Sequence, residues 1–232
     1  MTILALECAA KAASAAVLRD GVCVSECFSA GGRTHSETLL PLTEAALRAA
    51  AADCHDIDVF AVTAGPGSFT GVRIGLAAVK GMALPLNKPC AAVSSLEAAA
   101  YNLLGQDCLV LPVMDARCRQ VYTALFRVCG NHIERLLPDS AVTIDDLTET
   151  LRQYANETIV CVGDGAGLMS GLLPNITAAP EHLRLPRAFG AALCAYRAER
   201  FISAAELLPV YLRVPQAERA LAINNAQLTM NN

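Results

Sequence analysis

No block of lysine or arginine occurs anywhere in the 232 residues, and the formal net charge of −4 comes from interspersed acids and bases. Tight nucleic-acid binding by this chain alone is not expected, because neutralising phosphates takes clustered cations. A partner would have to supply most of the basic surface. Metal motifs are missing as well. His35, His55, His132 and His182 have no second histidine or cysteine at ligand spacing, and neither H-E-x-x-H nor C-x-x-C occurs. A locally built zinc or iron site is therefore not expected. No apolar run reaches about 20 residues without a charge or a breaker, so no membrane span is expected. No G-x-S-x-G elbow surrounds Ser68, which argues against a serine hydrolase.

What the chain has in quantity is apolar surface. Apolar residues make up 54% and charged ones 17%, with alanine runs such as ALRAAAA that allow close helix packing. Such a surface can also leave an apolar face for a partner. The ten cysteines are scattered through strand-like and helix-like runs, and no signal-peptide pattern opens the sequence. Cys23 and Cys27 on one strand would stand about 13 Å apart, too far to bridge. Reduced thiols in a cytoplasmic protein are the expectation.

Strand and helix signals alternate in a repeated order. Thr2–Glu7, Ser14–Arg19 and Val22–Ser29 read as strands, the last two joined by an Asp20-Gly21 hairpin turn. A helix follows from His35 to Ala51, then a strand at Asp58–Ala64 and a helix at Thr70–Leu84. Lys88–Val93 is a short strand, and Ser94 with Glu97 caps the next helix. The second half reads alike, with strands at Leu109–Met114, Val121–Cys129 and His132–Leu137. A helix at Ile144–Tyr154, a strand at Thr158–Val162 and a helix at Pro186–Ile202 complete it. Each half is βββαβα, which predicts an α/β protein with two similar lobes. The expected division is residues 1–104, residues 105–215 and a polar tail over 216–232.

The stretch Ala64–Gly81, AGPGSFTGVRIGLAAVKG, joins a strand to a helix, where backbone N–H groups can hold an anion. Its G-x-G-x-x-x-G spacing fits neither a Walker A loop nor a dinucleotide fingerprint. Two readings stay open at this point: a phosphate cradle, and a tight turn whose glycines allow close packing. Gly71, Gly75, Ala78 and Gly81 recur every three or four residues, so a small-residue face is expected on the helix. Glu7 and Asp115 end equivalent strands of the two halves. Facing each other across a cleft, they would suit a magnesium–nucleotide site, yet no glycine follows Glu7.

The two-lobed repeat resembles the actin, sugar-kinase and Hsp70-like ATPase superfamily. AGPGSFTGVRIGLAAVKG resembles the signature of the TsaB family, also called YeaZ and formerly labelled glycoprotease-like. ILALECAAKAASAAVL, HSETLLPLTEAAL, VSSLEAAA, VMDARCRQVYTALF and LLPVYLR resemble further landmarks of that family in order, the last being its C-terminal strand. The resemblance spans roughly residues 1–214.

It implies a non-catalytic partner of a TsaD-type paralogue, working with the ATPase TsaE to form N6-threonylcarbamoyladenosine at position 37 of tRNAs that read ANN codons. It implies no cofactor of the chain's own, with ATP, ADP or metal entering only through partner subunits, and tRNA only through the complex. The paired histidines of the catalytic paralogue are absent here, since His35 is followed by Leu39. The implied partner surface is the first two helices, shared with a homodimer. Its expected centre is Leu39, Leu42, Ala46, Gly75 and Ala78, with Arg73 and Glu44 nearer the rim and His35 also on the surface. Glu7, Gly65, Gly67, Ser68, Gly71, Asp115, Arg117, Gly163 and Gly165 are the expected vestigial nucleotide-site positions. A small-molecule kinase or ATPase of the same fold, resting on Glu7, Asp115 and the two glycine loops, is the alternative. A glycoprotease finds no support in the residues.

Overall fold

The computed structural model describes residues 1–213, so the tail expected over 216–232 lies outside the described residues. The first part of the chain forms β1 (Thr2–Glu7), β2 (Ala13–Arg19), β3 (Val22–Ser29), α1 (His35–Ala49), β4 (Val59–Gly65), α2 (Phe69–Leu86), β5 (Cys90–Ser94) and α3 (Ser95–Ala100). The rest forms β6 (Cys108–Asp115), β7 (Gln120–Cys129), β8 (His132–Thr143), α4 (Ile144–Leu151), β9 (Ile159–Val162), α5 (Ala166–Met169), β10 (Ile176–Ala178), α6 (Glu181–Arg184) and α7 (Ala188–Ala198).

Two five-stranded mixed sheets run β3-β2-β1-β4-β5 and β8-β7-β6-β9-β10. In each, the first strand pairs antiparallel with the second and parallel with the fourth, and the fourth pairs parallel with the fifth. The duplicated topology expected from the alternation is therefore present. The sequence reading missed the short β10, α5 and α6. Three- and four-residue elements carry too few periods to be legible.

Local chemistry explains the boundaries. Central β1 is buried on both faces and reads as one apolar run. Edge strand β3 has no buried residue, and its exposed positions are Val22, Cys23, Val24 and Phe28. Asp20 and Gly21 both adopt positive φ, 50° and 81°, as the hairpin signal requires. Helix α1 begins with a capping box, in which the Thr34 hydroxyl and Glu37 carboxylate satisfy one another's backbone N–H groups. Helix α2 starts at Ser68, whose hydroxyl accepts from the Gly71 N–H at 3.2 Å. It ends at Asn87 in the left-handed region.

Helices cover both faces of the first sheet. Leu4, Leu6, Phe60 and Val62 pack under α1 and α2. Ile3, Ala5, Val59 and Ala61 pack under α7. Helix α7 follows the second sheet in sequence yet lies on the first. Alanines 188, 191, 192 and 195 let it approach closely, and Gly190 lies so near α3 that an added Cβ would stand 2.1 Å from the Ala98 carbonyl oxygen. A division of the chain at residue 104 therefore follows the sheets but not this last helix.

Helix α3 joins the lobes. Leu96, Ala99 and Leu103 share one core with Met114, Phe126 and Val128 of the second sheet. A polar network reinforces that contact. The Arg135 guanidinium pairs with Glu97 of α3 and Asp139 of β8 and lies 4.5 Å over the Phe126 ring. Ser94, which caps α3, donates to Asp139.

The segment after α7 differs from its expectation. Leu207–Arg213 is not a strand but an extended strap, joined to the first sheet where the Val210 N–H donates to the Ala64 carbonyl at 2.7 Å. Among the described residues one helix, α2, is apolar and long enough to cross a membrane. Its Gly71, Val72, Gly75, Leu76, Val79 and Ala83 are buried in the protein's own core.

Candidate functional site: an interlobe cleft and a two-helix face

Both glycine loops pack against their own sheet. The Ser68 N–H donates to the Ala9 carbonyl at 2.7 Å. A Cβ on Gly67 would stand 2.3 Å from that same oxygen, and one on Gly71 would stand 2.1 Å from the Cys8 carbonyl oxygen. A Cβ on Gly65 would meet the Val210 carbonyl at 2.4 Å. The second loop repeats the arrangement. A Cβ on Gly163 would lie 2.2 Å from the Val113 oxygen, and the Gly165 N–H donates to that oxygen at 2.9 Å. The glycines bring the chain's own backbones together, while Gly67 and Ser68 also line the cleft between the lobes.

Glu7 also departs from its expected place. It is fully buried at the end of β1 and is not among the residues lining the cleft between the lobes. Both carboxylate oxygens accept from the Ala9 N–H, at 3.0 and 3.2 Å, and Thr63 donates its hydroxyl at 2.6 Å. Burial raises its pKa to about 7, against the lowering effect of those hydrogen bonds. The sign of the pH effect follows. An unfolded chain would release this proton near 4.5, while the folded chain holds it up to about 7. The folded state binds the extra proton throughout that window, so this group's contribution to stability falls as pH rises through it and levels off above. Glu7→Gln should flatten the profile. Thermal unfolding followed from about pH 4 to about pH 8 should show the variant gaining on the parent by roughly 3 kcal/mol. A constant difference across that range would contradict the burial effect.

The cleft itself has a volume of about 480 Å³ and is lined in part by Lys11, His35, Gly67, Ser68, Asp115, Arg117, Tyr122, Asp164, Tyr211 and Arg213. Asp115 is engaged locally: its carboxylate accepts from the Arg117 N–H at 2.7 Å and from the Arg117 guanidinium at 3.3 Å. The Asp164 carboxylate accepts from the Asp115 N–H at 3.3 Å. Burial raises the Asp164 pKa, the Asp115 N–H and Lys11 oppose this, and the Asp115 charge adds to it more weakly. The pair expected across the cleft, Glu7 with Asp115, is therefore replaced by two neighbouring acids from one lobe. Among the described residues no three histidine, cysteine, aspartate or glutamate side chains converge as a metal site.

The strap closes one side of this cleft. Tyr211 stacks on Phe69 with ring centroids 4.9 Å apart, and its hydroxyl accepts from the Arg73 Nε at 2.9 Å. Arg73 also lies 3.7 Å over the Phe69 ring. Arg213 donates to the Ala116 and Arg117 carbonyls of the second lobe. Arg73, expected on the partner rim, is thus exposed but held by the strap.

The two-helix face also needs correction. Leu39 is 1% exposed and Ala46 is fully buried, because both face the first sheet. Gly75 is buried too, and a Cβ there would stand 2.8 Å from the Cys8 sulfur. None of these three can form the centre of an external interface. Leu42, Ala78 and His35 are half-buried, and Glu44 is exposed and paired with Arg48. The outward face instead carries Leu40, 55% exposed, together with Pro41, Ala77 and Gly81. Gly81 has nothing within 4 Å of an added Cβ. Adjacent Leu39 and Leu40 held the missed signal, since neighbouring residues on a helix cannot both face one sheet.

Comparison with known proteins gives this arrangement its setting. A family model described as TsaD, tRNA N6-adenosine threonylcarbamoyltransferase, matches residues 29–229. The TsaB protein of Bacillus subtilis, a tRNA threonylcarbamoyladenosine biosynthesis protein, is 31% identical over 94% of this chain and 96% of its own length. Its namesake in Escherichia coli is 34% identical over 71% of this chain and 72% of its own. The solved structure of YeaZ from Pseudomonas aeruginosa superimposes with a TM-score of 0.76 at 28% identity, covering 91% of this chain and 99% of that one. With its two like sheets, the fold is a duplicated α/β architecture shared with that structure. The chain belongs to the TsaB (YeaZ) family of tRNA threonylcarbamoyladenosine biosynthesis proteins.

Proposed function

We propose that this chain is a non-catalytic scaffold that binds and activates a TsaD-type threonylcarbamoyltransferase. One observation carries the reading. The strand-end acid that would serve a nucleotide, Glu7, is sealed in the core, and glycines of both loops pack closely against the chain's own carbonyl groups. The machinery of the fold is kept, and its chemistry is not.

The partner brings the transferring site, and this chain contributes no atom to the carbamoyl transfer onto N6 of adenosine. ATP and metal enter through partner subunits, the TsaE-type ATPase among them. tRNA is met through the assembled complex, which agrees with the net charge of −4 and the absence of basic blocks. The docking face is the outward side of α1 and α2, centred on Leu40, Ala77, Ala78 and Gly81, with Glu44 at its rim. An apolar centre with a polar rim suits a protein partner. A second copy of this chain would use the same face, so homodimers and the TsaD-type heterodimer compete. Sedimentation of this chain titrated with the TsaD-type enzyme tests that directly. The expected result is loss of homodimer as heterodimer forms. Ternary species holding both contacts would overturn the shared face.

A further inference from the structure

The Cys8–Ala10 turn between β1 and β2 touches the start of both helices of the proposed docking face. The His35 Nε2, at the first residue of α1, donates to the Ala10 carbonyl at 2.9 Å. Ser68, the cap of α2, donates its N–H to the Ala9 carbonyl at 2.7 Å. The Cys8 sulfur donates to the Gly71 carbonyl at 3.1 Å, and the Cys8 backbone presses on Gly71. Beneath this turn lies one buried carboxyl group, Glu7, which binds the Ala9 N–H and Thr63. No role in the scaffold reading uses it.

We infer that Glu7 is a positioning residue, whose protonation state sets how firmly the Cys8–Ala10 turn seats α1 and α2 for partner docking. This rests on the docking face proposed above.

The hydrogen bonds accommodate both states of the carboxyl group. Ionised, it accepts from Ala9 and Thr63. Neutral, it donates to the Thr63 oxygen by rotation of that hydroxyl and still accepts from Ala9. What differs is solvation. The groups acting on Glu7 are the Thr63 hydroxyl and the N–H groups of Cys8, Ala9 and Ala10, and no cation is among them. An ionised Glu7 is an unpaired buried charge, and Ala9 and Ala10 of the turn above it border the cleft. Burial places this change near neutrality, at about 7. The neighbouring titratable groups are Cys8 and His35. The Cys8 thiol is pushed up by burial and by Glu7, and so stays neutral across this range. His35 meets the far side of the turn at Ala10. Lys11 lines the cleft and acts on Asp164. On the flanking strands, β2 sets Ser14 opposite Glu7, and β4 supplies Thr63.

The neutral form therefore holds the turn dry and the two helix starts in place. Partner docking, which needs those starts fixed, favours that form and weakens as pH rises through neutrality. The test is the affinity of the chain for its TsaD-type partner, measured from about pH 6 to about pH 8. The parent chain should lose about fivefold in affinity over that interval. Glu7→Gln should bind at every pH as the parent does at the lowest, with the loss abolished. Thr63→Val removes a donor to the ionised form, so its profile should shift to higher pH. It also carries the test should the Glu7 variant not fold.

A Glu7→Gln profile that still follows the parent would overturn the inference. Partner binding with such an outcome would leave the scaffold reading standing. No binding by the parent at any pH would refute the scaffold reading itself, and the inference with it.

Discussion

Gly71→Ala destabilises this protein by about 3 kcal/mol or more, a loss at the severe end for a single methyl group. The added Cβ would stand 2.1 Å from the Cys8 carbonyl oxygen and 3.0 Å from the His35 ring. The first of these neighbours is backbone, so no rotamer change can make room. Cys8 is fixed on one side by β1 and on the other by the Ala9 N–H bond to Glu7. Gly67→Ala meets the same obstacle at 2.3 Å from the Ala9 oxygen, with a φ of +156° besides. Gly81→Ala is the control, because nothing lies within 4 Å and alanine favours the helix by up to about 1 kcal/mol. Denaturant titration of the three variants separates the two meanings of the glycine loop. If its glycines served a phosphate, Gly71→Ala would fold as the parent does and lose only nucleotide binding. Parent-like stability in that variant would refute the close packing of loop against turn.

The second large effect falls on association. Leu40→Asp combined with Ala77→Arg should weaken binding of the TsaD-type partner by a hundredfold or more, on the order of 3 kcal/mol. Both side chains are exposed on the outward face and neither belongs to the core, so the melting temperature should stay within a degree or two of the parent. Leu39→Asp would serve poorly here, because it buries a charge against the sheet and unfolds the helix face before any partner is lost. A doubly substituted chain that still binds with parent-like affinity would move the docking face elsewhere.

Much of the architecture was legible in the sequence because its signals are local. The Asp20-Gly21 turn, the Ser94 and Thr143 caps and the apolar run of β1 each follow from a few neighbouring residues. Less legible was anything set by packing over a distance. The glycine stripe on α2 looked like one face, yet Gly71 and Gly75 turn inward to Cys8 while Gly81 faces outward. Periodicity marks which residues share a helix side, but not which side the sheet takes when both are apolar. Glu7 shows the same limit. Its place at a strand end suggested a partner for Asp115, and only the fold reveals that Thr63 and the Ala9 N–H enclose it. The segment from Leu207 to Arg213, expected as a strand, is a strap for a different reason. Its stack of Tyr211 on Phe69 joins residues far apart in sequence, and no spacing rule connects them.

The central claim is that this chain activates a partner without performing the chemistry. The most direct measurement is formation of N6-threonylcarbamoyladenosine on tRNA, from the threonylcarbamoyl-adenylate donor, in a reconstituted mixture of TsaD-type enzyme and TsaE-type ATPase. Product should form only when this chain is added, should be absent with the chain alone, and should persist when Asp115 is changed to asparagine. Product formed by the isolated chain and lost in Asp115→Asn, or full activity of the mixture without the chain, would contradict the account.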